Sequence, residues 1–117
     1  MVHSRTPIIV GVGQILNRIE SLQETEEPVD IMLRACRQAE QDTTVRLLQA
    51  VQSVRVIRGL WQYGNPARYI AEEIGAGNVQ TVGTLFGGNL NQVLVNDAAS
   101  TILRGDMDLI LITGAET

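Results

Sequence analysis

Apolar and polar positions along the chain follow two different periods. Pro7-Ile8-Ile9-Val10-Gly11-Val12-Gly13 is a β-branched run with no polar alternation, which predicts a strand covered on both faces, as in parallel sheets. Gln14 to Glu27 turns polar and acidic and predicts an exposed loop, which Pro28 ends. From Val29 the apolar residues fall at Val29, Met32, Leu33, Cys36 and Ala39, the stripe of an amphipathic helix with Asp30, Arg34, Arg37 and Glu40 turned outward. A short helical piece around Val45 to Ala50 leads to Ser53-Val54-Arg55-Val56-Ile57-Arg58, whose alternation predicts a strand with one wetter side. Asn65-Pro66 supplies an N-cap and a first-turn proline, Ala67, Ile70, Ala71 and Ile74 form an inner face, and Gly75 stops this second helix. Val79 to Leu85 predicts a third strand, Leu90 to Arg104 a third helix closed by Gly105, and Met107 to Ile112 a fourth strand. The order βαβαβαβ calls for an α/β fold with a mostly parallel sheet and helices on its faces.

The third helix departs from this pattern. Between Leu90 and Leu103 its only charge is Asp97, and its other polar members are Asn91, Gln92, Asn96, Ser100 and Thr101. A helix without a charged solvent face belongs between two layers, and the chain predicts only one sheet. The last strand runs directly into Thr113-Gly114-Ala115-Glu116-Thr117, where an open α/β sheet places a binding loop. Together these features predict that residues 1–117 are a partial domain, truncated after its fourth strand, of a larger protein.

Composition narrows the function classes. A chain of 117 residues with 44% apolar and 19% charged residues suits one modest globular domain. A net charge of -4, a pI near 4.8 and singly scattered basic residues argue against nucleic-acid binding. The single cysteine, Cys36, forms no internal disulfide and points to a reducing compartment; its place on the inward stripe predicts an inert core thiol. No apolar run approaches the ~20 residues that cross a bilayer, so a soluble, cytoplasmic protein is expected.

The stretch Thr84-Leu85-Phe86-Gly87-Gly88-Asn89-Leu90-Asn91-Gln92 reads as a strand end, a two-glycine turn and a helix start. Such a turn brings backbone N–H groups to a helix N-terminus, where an electron-rich ligand atom is favoured. Gly87, Gly88, Asn89, Asn91 and Gln92 are the candidate substrate-binding residues; for the amide side chains, capping and buried hydrogen bonds compete with ligand contact.

Arg5-Thr6-Pro7-Ile8-Ile9-Val10-Gly11-Val12-Gly13, Asn65-Pro66-Ala67 with Ala71-Glu72, and above all Ala98-Ala99-Ser100-Thr101-Ile102-Leu103-Arg104-Gly105-Asp106-Met107-Asp108 leading to Gly114-Ala115-Glu116 carry a family resemblance. The chain resembles the amino-terminal half of the first thiolase domain, in the branch of sterol-carrier-protein thiolases and acetyl-CoA acetyltransferases. The resemblance implies an acyltransferase parent that handles a coenzyme A ester as substrate or ligand; from the residues themselves no metal site is expected. In the family a cysteine at the N-terminus of the buried helix takes the acyl group. The family spacing puts Gly88 at that position, with Leu90 and Asn91 where Ser and Gly fall, and no Cys, Ser or Thr occurs between Leu85 and Val95. A catalytic residue is therefore left unassigned, and the chain alone is expected to be inactive. Alternatives are a Cys-less acyl-CoA aldolase-type relative or a non-enzymatic CoA-ester-binding or interaction module. The resemblance also implies a homodimer paired through the strand Val79 to Leu85, or association with the missing remainder of the thiolase fold.

Weaker signals have simpler readings. Gly11-Val12-Gly13 opens like a dinucleotide fingerprint but lacks its third glycine, and His3 has no ligand neighbour at metal spacing. Trp61, Tyr63 and Tyr69 are read as packing or interface residues.

Overall fold

The computed structural model describes residues 5–16, 26–76, 78–85 and 89–115. It is an α/β arrangement around a parallel sheet of β1 (Ser53–Val56), β2 (Gln80–Gly83) and β3 (Ile110–Thr113), in the spatial order β2-β1-β3. Ser53 is level with Gln80 on one side and Ile110 on the other. The helices are α1 (Pro28–Thr43), α2 (Pro66–Glu73) and α3 (Leu90–Leu103), with a short 3-10 turn at Leu48–Ala50.

Helix ends follow local chemistry. The Asn65 side chain accepts from the Arg68 N–H at 3.1 Å and caps α2, Pro66 occupies its first turn, and Gly75 takes φ of 81° where a side chain would be strained. Gly105, at φ 84°, follows α3 in the same way. Glu40 of α1 accepts from the N–H groups of Leu47 and Leu48, both at 2.9 Å, and so orients the 3-10 turn.

The two faces of the sheet are covered differently. Val54 and Val56 point to the side where Met32, Cys36, Ala67, Ile70, Ala71 and Ile74 of α1 and α2 build the core. Ser53 and Arg55, on the alternate positions, point to α3. The expected wetter side of this strand is corrected: Ser53 and Arg55 are 0% and 3% exposed, because α3 covers them. Arg55 Nη1 donates to Asp97 Oδ2 of α3 at 2.6 Å, and its Nε donates to Ser53 Oγ at 3.2 Å. A guanidinium is tolerated in the sheet because the one charge of α3 pairs with it. Leu94, Ala98 and Thr101 are the buried side of α3, whereas Val93 and Leu103 are exposed.

The first expected strand also needs correcting. Residues 5–16 form no strand. Residues 7–13 are flanked on one side by α1, where a Cβ at Gly11 would collide with the Ala39 carbonyl and one at Gly13 with the Ala35 carbonyl. The Val12 N–H donates to the Asp42 carboxylate at 3.0 Å and the Gln14 N–H to the Gln38 side chain, not to a neighbouring strand. A strand exists only where a partner ladder takes its backbone groups. The β-branched run is of the right kind, but a gap separates it from β3.

Candidate functional site

At the carboxyl ends of β1 and β3 the chain turns away through Ile57-Arg58-Gly59 and Gly114-Ala115, and α3 begins beside them. Ile57, Arg58, Gly59, Asn91, Ile112, Thr113, Gly114, Ala115 and Gly13 line an open cleft of about 480 Å³ here. This is where parallel α/β sheets offer a binding crevice, since successive loops leave the strand ends together. Trp61 holds one wall by donating from Nε1 to the Ala115 carbonyl at 2.8 Å. The Arg58 N–H donates to Thr84 Oγ1 at 3.0 Å, which ties the end of β1 to the segment after β2.

Of the sequence-predicted residues, Asn91 lines this cleft. Gln92 turns along its own helix, donating to Asn96 Oδ1 at 2.9 Å. Asn89 is exposed at the start of α3, and its side chain makes no capping bond. Gly87 and Gly88 lie outside the described residues. The structure adds Arg58, the cleft's cation, and the backbone of the Thr113-Gly114-Ala115 turn. Periodicity could not single these out. Their signal is positional: each follows a strand at its carboxyl end.

Cys36 is 2% exposed in α1, on the opposite face of the sheet from α3. Burial pushes its thiol up from 9.0 to about 11, against a smaller opposing hydrogen bond with the Thr113 side chain. It is a poor nucleophile at neutral pH, since the reactive form is the thiolate. Among the described residues no group of His, Cys, Asp and Glu is placed to hold a metal ion, and no helix is long and apolar enough to cross a membrane.

Comparison with solved structures gives a match along the whole of this chain. A monomeric SCP2-thiolase like protein type 1 from Mycobacterium smegmatis superposes with a TM-score of 0.87 at 32% identity, across 100% of this chain and 25% of that one. The 3-oxoacyl-[acyl-carrier-protein] synthase III of Aquifex aeolicus VF5 matches with a TM-score of 0.67 at 15% identity, over 78% of this chain and 30% of its own, a likeness of fold. The chain thus spans about a quarter of the length of the Mycobacterium smegmatis protein. No family model matches the chain, and no curated protein does.

Proposed function

We propose that this chain, whose fold is thiolase-like, is part of an acyl-CoA-processing protein of the acetyl-CoA acetyltransferase type that lacks the family's thiolate nucleophile. The observation that carries this reading is the match along the whole chain to an SCP2-thiolase-like protein, joined to a cleft at the strand ends beside α3. The cleft would take the thioester end of a coenzyme A ester. Asn91 would donate to its carbonyl, Arg58 would favour its anionic parts, and the N-terminal N–H groups of α3, with Gly87 and Gly88 before them, would favour developing negative charge.

The proposal leaves no thiolate in these residues for covalent acyl transfer. On this reading the family spacing puts Gly88 at the cysteine position, and Cys36 lies buried across the sheet as a neutral thiol. That absence favours binding of the ester without turnover in these residues, either as a CoA-ester-binding module or within a Cys-less enzyme. Of the two expected partners for the open edge of β2, the remainder of a thiolase fold is preferred to a twin strand, because the Mycobacterium smegmatis relative is described as monomeric. A cytoplasmic setting remains part of the proposal.

Calorimetric titration separates the ligand classes. Acetyl-CoA is expected to bind more tightly than ADP, and Asn91→Ala to weaken acetyl-CoA about 5- to 10-fold, the loss of about one hydrogen bond. Equal affinity for ADP and acetyl-CoA, unaffected by Asn91→Ala, would move the reading to a nucleotide-binding domain.

A further inference from the structure

The turn that follows β3 is gripped by a residue outside the cleft lining. β3 is held to β1 as far as Thr113, whose carbonyl accepts from the Ile57 N–H at 2.9 Å. Next comes Gly114, which is exposed, and a glycine restricts its own backbone less than any other residue, so the ladder alone does not fix where Ala115 goes. Two contacts do. Gly114 lies so close to the end of β1 that a Cβ on it would stand 3.3 Å from Ile57 Cβ, and the Ala115 carbonyl accepts from Trp61 Nε1 at 2.8 Å. Gly114 and Ala115 line the cleft, whereas Trp61 stands behind them and packs against the core.

The indole is itself held. Trp61 lies in the connection from β1 to α2, between Arg58, whose N–H is taken by Thr84 Oγ1, and Asn65, which caps α2. Its ring meets that of Tyr63 with centroids 5.1 Å apart and planes tilted by 31°. Tyr63 in turn reaches the amino end of α1: its hydroxyl donates to Glu27 Oε2 at 2.6 Å and accepts from the Val29 N–H at 3.4 Å. A path of contacts therefore runs from α1 through Tyr63 and Trp61 to the Ala115 carbonyl. Packing alone asks only for a large ring at position 61. The bond to Ala115 asks for an indole, because a phenylalanine ring there carries no donor.

We infer that Trp61 is a positioning residue of the cleft: its indole N–H sets the Gly114-Ala115 wall, and Tyr63 orients the indole. For the wall the inference stands on this geometry; for the effect on a ligand it rests on the acyl-CoA reading, since Trp61 acts on the bound ester only through Ala115.

Nitrogen-15 NMR on the chain tests it. Trp61 is the single tryptophan, so its indole N–H gives one signal. In the parent that proton should exchange at least about tenfold more slowly than in a free indole, and the Gly114 and Ala115 amides should have order parameters of about 0.85, as in rigid backbone. Trp61→Phe keeps a ring in place and should drop both amides below about 0.6 while Val54, Val56 and Ile70 are unchanged. It should also weaken acetyl-CoA about 5- to 10-fold, the loss of one hydrogen bond. Tyr63→Phe keeps the ring contact without the hydroxyl bonds and should speed indole exchange about threefold; unchanged exchange would remove Tyr63 from the inference. The positioning role is overturned by an indole that exchanges freely in the parent, by Gly114 and Ala115 staying rigid in Trp61→Phe, or by loosening that spreads equally to Val54, Val56 and Ile70, which is the loss of a core ring and not of a wall. Should Trp61→Phe fail to fold, indole exchange in the parent decides. A turn that loosens in a chain whose parent binds ADP as tightly as acetyl-CoA keeps the positioning role and rejects the acyl-CoA reading, whereas undiminished acetyl-CoA binding by Trp61→Phe keeps the reading and rejects the role.

Discussion

The α1–α2 side of the sheet and the β3 side are built from similar residues but reach different degrees of closure. On the first, Met32, Val54, Ile70 and Ala71 are fully buried; α2 brings its apolar stripe against β1, and α1 packs on α2 and β3. On the second, Ile8, Ile9 and Val12 stand mostly exposed, and so do Val93 and Leu103 of α3 in large part. Apolar content therefore does not distinguish a core from a docking surface; the presence of an opposing layer does. The closed side has a layer on every apolar face. The open side has the residues for one, but among the described residues no layer covers them.

The largest expected effect comes from the closed side. Ile70→Ala removes a fully buried side chain that sheet and helices surround, and should cost about 2–5 kcal/mol in urea unfolding. A cost below about 1 kcal/mol would mean that this side is loosely packed and that the contrast between the halves is false.

Titration of Cys36 follows in size. Its folded pKa of about 11 exceeds the ordinary 9.0, so the folded state holds the proton longer than the unfolded chain does. The resulting stability is complete below pH 9 and is lost as pH rises from 9 to about 11, by about 2–3 kcal/mol at most. Tyr63 and Tyr69 are also raised, the first chiefly by burial and the second chiefly by its hydrogen bond to Asp30, so both add to alkaline loss. The measurement is therefore a difference: Cys36→Ala should flatten the decline between pH 9 and 11 relative to the parent. Parallel declines in the two proteins would show that the thiol is solvated.

Where the two sides meet, Arg55 and Asp97 connect β1 to α3. Breaking a buried ion pair costs about 3–5 kcal/mol, but the Asp97 carboxylate is 61% exposed and Arg55 keeps the Ser53 hydroxyl, so Asp97→Ala should cost only about 1–2 kcal/mol. Asp97→Asn should recover part of this by retaining an acceptor. A helix that stays equally protected in both variants would show that apolar contact alone seats α3.

These residues also mark how far the sequence could be read. The ends of α2 and α3 were legible because Asn65, Pro66, Gly75 and Gly105 act within a few residues of themselves. So was the parallel order, which follows from helices alternating with strands. The burial of Arg55 was not, since alternation identifies two faces but not which has a helix above it. Residues 7–13 have strand composition, yet strandedness is a property of a pair, and among the described residues no ladder takes their backbone groups. At the cleft, Asn91 could be named because it begins a helix; Arg58 and the Thr113-Gly114-Ala115 turn lie in loops, where no period exists to read.

The smallest effect is the most discriminating. Ile9 has the same side chain as Ile70 but is 79% exposed, so Ile9→Ala gives up almost no buried surface and should change stability by less than about 0.5 kcal/mol. The comparison of one substitution at two sites removes differences in side-chain chemistry and leaves the environment as the only variable. If Ile9→Ala instead costs more than about 1 kcal/mol, Ile9 is covered in solution, and the amino-terminal segment has closed onto β3.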